Sequence, residues 1–141
     1  MRLLATLLSL TLLGAPGALA AKKSAEERFQ LYHTKALSSS PVKLSDSAYR
    51  ELTSTPRDYT VAVLLTAMDS RYGCQLCREF QPEWELLARS WTSGDKKGES
   101  RTVFGTLDFT DGRDVFMSVR RLSPSYPGGL GMWMTLAKRL A

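Results

Sequence analysis

Gly73-Cys74-Gln75-Leu76-Cys77-Arg78-Glu79-Phe80-Gln81-Pro82 carries the only two cysteines of the 141-residue chain, spaced C-x-x-C. The run before it, Tyr59 to Ala67, is apolar on successive rather than alternate residues. That pattern predicts a central parallel strand covered on both faces. After it, Phe80, Trp84, Leu87, Ala88 and Trp91 recur at steps of three and four, which predicts a helix from about Gln75 to Trp91 with these side chains on one face. Pro82 falls inside that helix, where its missing N–H predicts a kink. The loop from Met68 to Gly73 then lifts the cysteines to the C-terminal edge of the strand, where open α/β sheets place their chemistry. At a helix start, unpartnered backbone N–H groups and the positive end of the helix dipole favour a thiolate on Cys74. Cys77, one turn on, is within reach to close a disulfide and release a bound partner.

Upstream, Ser24 and Glu27 have capping-box spacing for a helix to Leu37, with Phe29, Tyr32 and Ala36 at helical steps. His33 is expected on the solvent side of this helix, without a chemical role. Ser38 to Pro41 reads as a turn and Val42 to Leu44 as a short strand. Ser45 or Asp46 can cap a second short helix through Leu52, with Ala48, Tyr49 and Leu52 on one face. Thr53 to Asp58 is a turn around Pro56. Downstream, Thr92 to Arg101 is a charged loop and Arg101 to Phe109 a strand built on Val103, Phe104 and Leu107. Asp108, near its end, is expected in a turn or cap rather than in proton transfer. Asp111 has N-cap spacing to Asp114 for a helix through about Val119. The alternation of helices and strands argues an α/β layer with parallel strands.

Arg2, the apolar run Leu3 to Leu13 and Ala18-Leu19-Ala20 have the form of a cleaved signal peptide, with a mature start at Ala21; an uncut anchor is the alternative. What remains suffices for one small domain with one core. The formal charge of +5, or +4 without Arg2, is scattered among acids, which reads as a solvated surface and not as a nucleic-acid patch. No stretch after residue 20 is apolar for the ~20 residues a membrane span needs, so a soluble mature product is expected. The chain contains no asparagine and so no N-glycosylation acceptor of its own. A secretory route supplies an oxidising compartment. There the pair is either an exchange disulfide or an inert staple. A staple closing so small a loop constrains the unfolded chain little, which favours exchange. Zinc takes about four ligands, which two cysteines and His33 do not supply, so no metal and no cofactor is expected.

Ala62 to Trp91 resembles the thioredoxin superfamily: Cys74, Cys77 and Pro82 match its C-x-x-C-x-x-x-x-P pattern. Gly73 to Trp91, and the later Asp108-Phe109-Thr110-Asp111-Gly112-Arg113-Asp114-Val115-Phe116, are similar to the lumenal domain of the oligosaccharyltransferase gamma subunit family, of the fungal type. The resemblance covers roughly Ser24 to Val119. It implies an α/β, thioredoxin-like fold with a parallel or mixed central sheet and flanking helices, located in the endoplasmic reticulum lumen. It implies an accessory subunit, not the glycosyl-transferring one. Such a subunit captures nascent cysteine-containing polypeptides by transient mixed disulfides, beside the other oligosaccharyltransferase subunits, and so promotes N-linked glycosylation. Cys74 would be the attacking thiol and Cys77 the resolving one. Tyr72, Gly73, Gln75 and Leu76 would line the peptide-contact surface.

The resemblance ends near Val119. The division expected is a signal peptide (1–20), a thioredoxin-like domain (21–119) and a divergent tail (120–141), lacking the last hairpin and helix of the fold, as in a C-terminally truncated or mis-spliced product open to secretion. Neither Pro124 nor Pro127 is assigned as the fold's cis-proline, and Trp133, Leu136 and Leu140 have the spacing of a short helical stripe. Two further readings stand beside the first. One is a free-standing soluble oxidoreductase of the lumen or the secreted space, although Gln75-Leu76 differs from the Gly-His and Gly-Pro pairs typical of efficient exchange enzymes. The other is a non-catalytic peptide-binding module whose disulfide is held shut.

Overall fold

The strand Thr60–Thr66 is buried from Val61 to Thr66, and the other elements are arranged around it. In the computed structural model, which describes residues 23–122 and 133–137, the order is α1 (Ala25–Ser38), β1 (Val42–Lys43), α2 (Asp46–Thr53), β2 (Thr60–Thr66), a 3-10 turn (Ser70–Tyr72), α3 (Gln75–Gly94), β3 (Thr102–Asp108), α4 (Arg113–Leu122) and β4 (Trp133–Ala137). The expected signal segment with its Ala21 start, Pro124, Pro127 and Leu140 lie outside the described residues. The sheet order is β1-β3-β2-β4. β1, β3 and β2 are mutually parallel, with Leu64 opposite Thr106 and Thr66 opposite Asp108, while β4 runs antiparallel to β2.

Period-two alternation along β2 divides two cores. Val61, Val63 and Leu65 face α1, α2 and α4, where they meet Phe29, Tyr32, Leu52, Val103, Leu107 and Val115. Ala62, Leu64 and Phe104 face Trp84 and Ala88 of α3. The result is a thioredoxin-like α/β fold, a mixed sheet with helices on both faces. Trp84 ties the second core together, since its Nε1 donates to Thr106 Oγ1 at 3.0 Å. α1 starts on the expected capping box: Ser24 N donates to Glu27 Oε2 and Glu27 N to Ser24 Oγ. Among the described residues, no helix is long and apolar enough to cross a membrane.

Three local expectations are corrected. His33 is not on the solvent side: it is 8% exposed, stacked on Phe29, with Nε2 3.3 Å from the Asp95 carbonyl oxygen. The loop after α3 folds over it, and Gly98, at φ 72°, comes so close that a Cβ there would lie 3.1 Å from the ring. Asp111 does not cap α4. The carboxylate of Asp46, at the start of α2, does so by accepting from Val115 N at 2.9 Å and Asp114 N at 3.4 Å. Residues 133–137 form a strand where a helical stripe was expected, because β2 offers them an edge of N–H and C=O groups. On α3, Trp84 and Ala88 are buried against the sheet, while Leu87, beside that line, and Trp91, whose ring meets Phe104 at 5.9 Å, are about half exposed.

Candidate functional site

Beyond Thr66 the chain turns back in three fastened steps. Met68 N donates to Asp108 Oδ2 at 2.8 Å, while Asp108 Oδ1 accepts from Thr110 N and Oγ1 at 2.9 and 2.7 Å. Asp108 thus joins the loop after β2 to the loop after β3, the turn role expected of it. Asp69 caps the 3-10 turn by accepting from Arg71 N at 2.9 Å. The Arg71 guanidinium, 2.8 Å away, holds the Asp69 carboxyl below the usual carboxylate range, and the Asp69 charge in turn raises Arg71. Gly73 closes the turn at φ 59°, ψ 20°, a left-handed conformation that glycine adopts without a Cβ penalty.

The next residue, Cys74, is the N-cap of α3, and its Sγ accepts from Cys77 N at 3.2 Å. Cys74 and Cys77 form a disulfide with Cα atoms 5.3 Å apart. With Ala67 they make a small apolar cluster walled by Tyr72 and Phe109, whose rings meet edge-on at 5.0 Å. Phe109 in turn meets Phe116 of α4 at 5.3 Å. The first turn of α3 holds no acidic residue, so nothing in it opposes a negative sulfur. Reduction would leave a Cys74 thiolate at a helix N-terminus beside a backbone N–H, the environment that lowers a cysteine pKa.

The sequence-derived residues are brought together as follows. Cys74 and Cys77 are 7% and 4% exposed. Gly73, Gln75 and Leu76 are exposed around them, and the Gln75 amide is bound to Glu79 Oε1 at 2.6 Å. Tyr72 is half-buried against Phe109 and serves as a wall. Pro82 lies on the exposed side within α3, which continues through it. Phe109 was not anticipated. Its signal is the parallel register, which carries the chain one residue past Asp108 so that Phe109 N donates to Thr66 O at 2.8 Å beside the cysteines. His33 belongs to α1, and among the described residues no group of three or more His, Cys, Asp or Glu could hold a metal ion.

Residues 30–121 match the family described as "OST3 / OST6 family, transporter family". The chain is similar to dolichyl-diphosphooligosaccharide–protein glycosyltransferase subunit MAGT1 of Xenopus laevis, 35% identical over 71 residues, half of this chain and 21% of that protein. It is 34% identical over 76 residues to the protein of that name from Danio rerio and 32% over 76 residues to the one from Homo sapiens; these cover 53% of this chain and 23% and 22% of those proteins. The chain therefore spans about a fifth of the length of these relatives. The family match takes in β1, β2, the disulfide turn, α3, β3 and nearly all of α4, and the chain belongs to the OST3/OST6 family.

Proposed function

We propose that this chain acts in the endoplasmic reticulum lumen as a thiol–disulfide exchange subunit of the oligosaccharyltransferase complex, holding nascent polypeptides near the transferase by transient mixed disulfides. The observation that carries this reading is Cys74 as the N-cap of α3, disulfide-bonded to Cys77 at the C-terminal edge of the sheet. The family and the names of the relatives, which are subunits of the dolichyl-diphosphooligosaccharide–protein glycosyltransferase, supply the complex. The role is accessory, and no glycosyl transfer is assigned to this chain.

The exchange balances without an added oxidant. A client thiolate attacks Cys74 Sγ, the Cys74–Cys77 bond breaks, a client–Cys74 disulfide forms and Cys77 leaves as a thiolate that takes up a proton. Release is the reverse: Cys77, deprotonated, attacks Cys74 Sγ, and the client leaves as a thiolate. Captured and released client are in the same redox state, as a temporary tether requires. Attack falls on Cys74 because this residue is the more exposed of the two and is approached over Gly73, where even a Cβ would meet nothing within 4 Å. Gln75 and Leu76 flank the approach, and Tyr72 backs it.

The test is a Cys77→Ser variant of the full chain expressed in cells, which removes the resolving thiol. Disulfide-linked client adducts mapped to Cys74, recovered together with oligosaccharyltransferase subunits and accompanied by lower occupancy of Asn-x-Ser/Thr sites near client cysteines, are the expected result. Clients recovered only by non-covalent association, or adducts that persist when Cys74 is also replaced, would refute the exchange role; adducts without the transferase subunits would refute the assignment to the complex.

A further inference from the structure

A cleft of about 450 Å³ opens at the C-terminal edge of the sheet, between the second and third turns of α3 and the ends of β1 and β3. Thr66 and Thr106 line it from the strands, Gln81 and Glu85 from α3, and Met68 from the loop that leads to the cysteines. Two of these lining residues carry buried atoms, Thr66 Oγ1 and Gln81 Oε1, that have no hydrogen-bond partner among the described residues. Thr66 is 2% exposed. The Gln81 amide nitrogen is committed to Glu85 Oε1 at 3.1 Å, which leaves the carbonyl oxygen as its unpartnered end. Buried polar atoms without partners are few in folded proteins, and two lining one cleft mark a place for a polar group. The larger depression at the far end of α3, by Ser40, Arg89, Thr92 and Lys96, has no such atom.

The charge of the cleft selects the ligand. Asp69, Glu85, Asp108 and Asp111 bring carboxylates to it, and Lys43 is the only basic residue among the described lining. Asp69 and Glu85 already hold Arg71 and Arg89. Asp108 accepts three hydrogen bonds of the about four that a carboxylate can take, and Asp111 has no ion pair among the described residues. Acceptors thus outnumber donors, and these carboxylates do not converge into a metal-binding group. The complementary ligand is a planar cation with several N–H donors, a guanidinium. Position supplies its source. Gln81 is seven residues beyond Cys74, about 10 Å along the helix. An extended polypeptide joined to Cys74 gains about 3.3 Å per residue, so a side chain roughly two to four residues from its cysteine reaches the cleft.

We propose that this cleft binds an arginine side chain of the captured polypeptide, with Thr66 Oγ1 and Gln81 Oε1 among its acceptors, so that exchange at Cys74 favours cysteines with an arginine two to four residues away. The inference rests on the exchange reading for the source of its ligand, not for the cleft itself. Neither unpartnered atom reaches the surface in this conformation. Gln81, half-buried and with a flexible side chain, is the residue that turns to admit the donor.

The test uses the full oxidised chain and short peptides that differ at one residue: arginine, its neutral isostere citrulline, or glutamate. Cysteine-free versions are titrated by calorimetry, and versions with a cysteine three residues away, supplied as their mixed disulfides with glutathione, are scored for transfer to the Cys74 thiol of the reduced Cys77→Ser chain, with glutathione leaving as the thiol. Thr66→Val and Gln81→Met are compared, each checked for fold by circular dichroism. The arginine peptide should bind at least about fivefold tighter than the other two, and that preference should disappear in both variants. Equal binding of the arginine and glutamate peptides, or a preference unchanged in the variants, overturns the proposal. An arginine preference without any mixed disulfide leaves the cleft standing and rejects the exchange reading. Mixed disulfides of equal yield with all three peptides, and no binding preference, do the opposite.

Discussion

Arg28 is a cation 2% exposed whose partners, among the described residues, are uncharged oxygens. Its Nη2 donates to Pro56 O at 2.6 Å and Ser54 O at 3.0 Å, its Nη1 to Lys23 O at 2.8 Å, and its Nε to Tyr59 Oη at 3.3 Å. The guanidinium thereby fastens α1 to the turn between α2 and β2. Arg28→Met keeps most of the apolar stem and removes every donor. The Lys23 carbonyl, on an exposed residue, is rehydrated, and Tyr59 keeps its bond to Leu52 O at 2.8 Å. The Pro56 carbonyl, also on an exposed residue, is rehydrated too, so the uncompensated loss is the bond to Ser54. For a bond to a charged donor the cost is about 2 kcal/mol, a sizeable share of the roughly 5–15 kcal/mol that stabilises a typical domain. Urea unfolding followed by tryptophan fluorescence should show the midpoint falling by roughly 1–2 M. Arg28→Lys, able to reach one carbonyl but not to fork between two, should fall between the variant and the parent. A loss below about 1 kcal/mol for Arg28→Met, or a lysine variant as unstable as the methionine one, would refute this account of the clamp.

Thr66→Val replaces an unpartnered buried hydroxyl by a methyl group of the same shape, and chemical denaturation should find the variant more stable by about 1 kcal/mol; a loss of that size would mean the hydroxyl is satisfied. Asp46→Ala should cost about 1 kcal/mol in thermal melts by leaving Asp114 N and Val115 N uncapped, and Asp46→Asn should retain part of the cap. Glu26, Glu27, Asp69 and Asp95 are held below their ordinary pKa values, chiefly by hydrogen bonds from Gln30, Ser24, Arg71 and Ser100 respectively. A depressed folded-state value stabilises above the unfolded value, so this contribution is complete above about pH 5 and is lost as pH falls below about 4. Melting temperatures measured from about pH 7 to about pH 3 should be flat and then drop, and a rise on acidification would contradict the assignment.

The features written in contiguous residues were legible. The unbroken apolar run around β2 predicts burial on both faces because side chains alternate across a strand, and the Ser24–Glu27 box and the C-x-x-C spacing each encode a local geometry of a single helical turn. What escaped was set by contacts distant in sequence. Whether His33 faces water depends on where the loop from Asp95 to Arg101 lies, 62 residues on. The cap of α4 comes from Asp46, 69 residues before Val115, and so defeats the local Asp111–Asp114 spacing. Residues 133–137 have no strong period of their own, and their strand state follows from the free edge of β2. Helical spacing finds the apolar side of α3 but not which of its side chains the sheet covers: Trp84 and Ala88 are buried, Leu87 and Trp91 half exposed. The cysteine pair itself was readable. The unpartnered Thr66 and Gln81 were not, because a missing partner is a property of packing.

The central claim is that Cys74 is an activated thiol because it caps α3. Ultraviolet thiolate absorbance against pH, on the reduced chain with Cys77→Ser to isolate one sulfur, tests it most directly. The N-cap position, the backbone N–H at position 77 and a first turn without acids predict that Cys74 titrates below about 7.5, against about 8.5 for an ordinary cysteine. A Cys74 that titrates at about 8.5 or above, in a sample whose circular dichroism matches the folded parent, would contradict the claim.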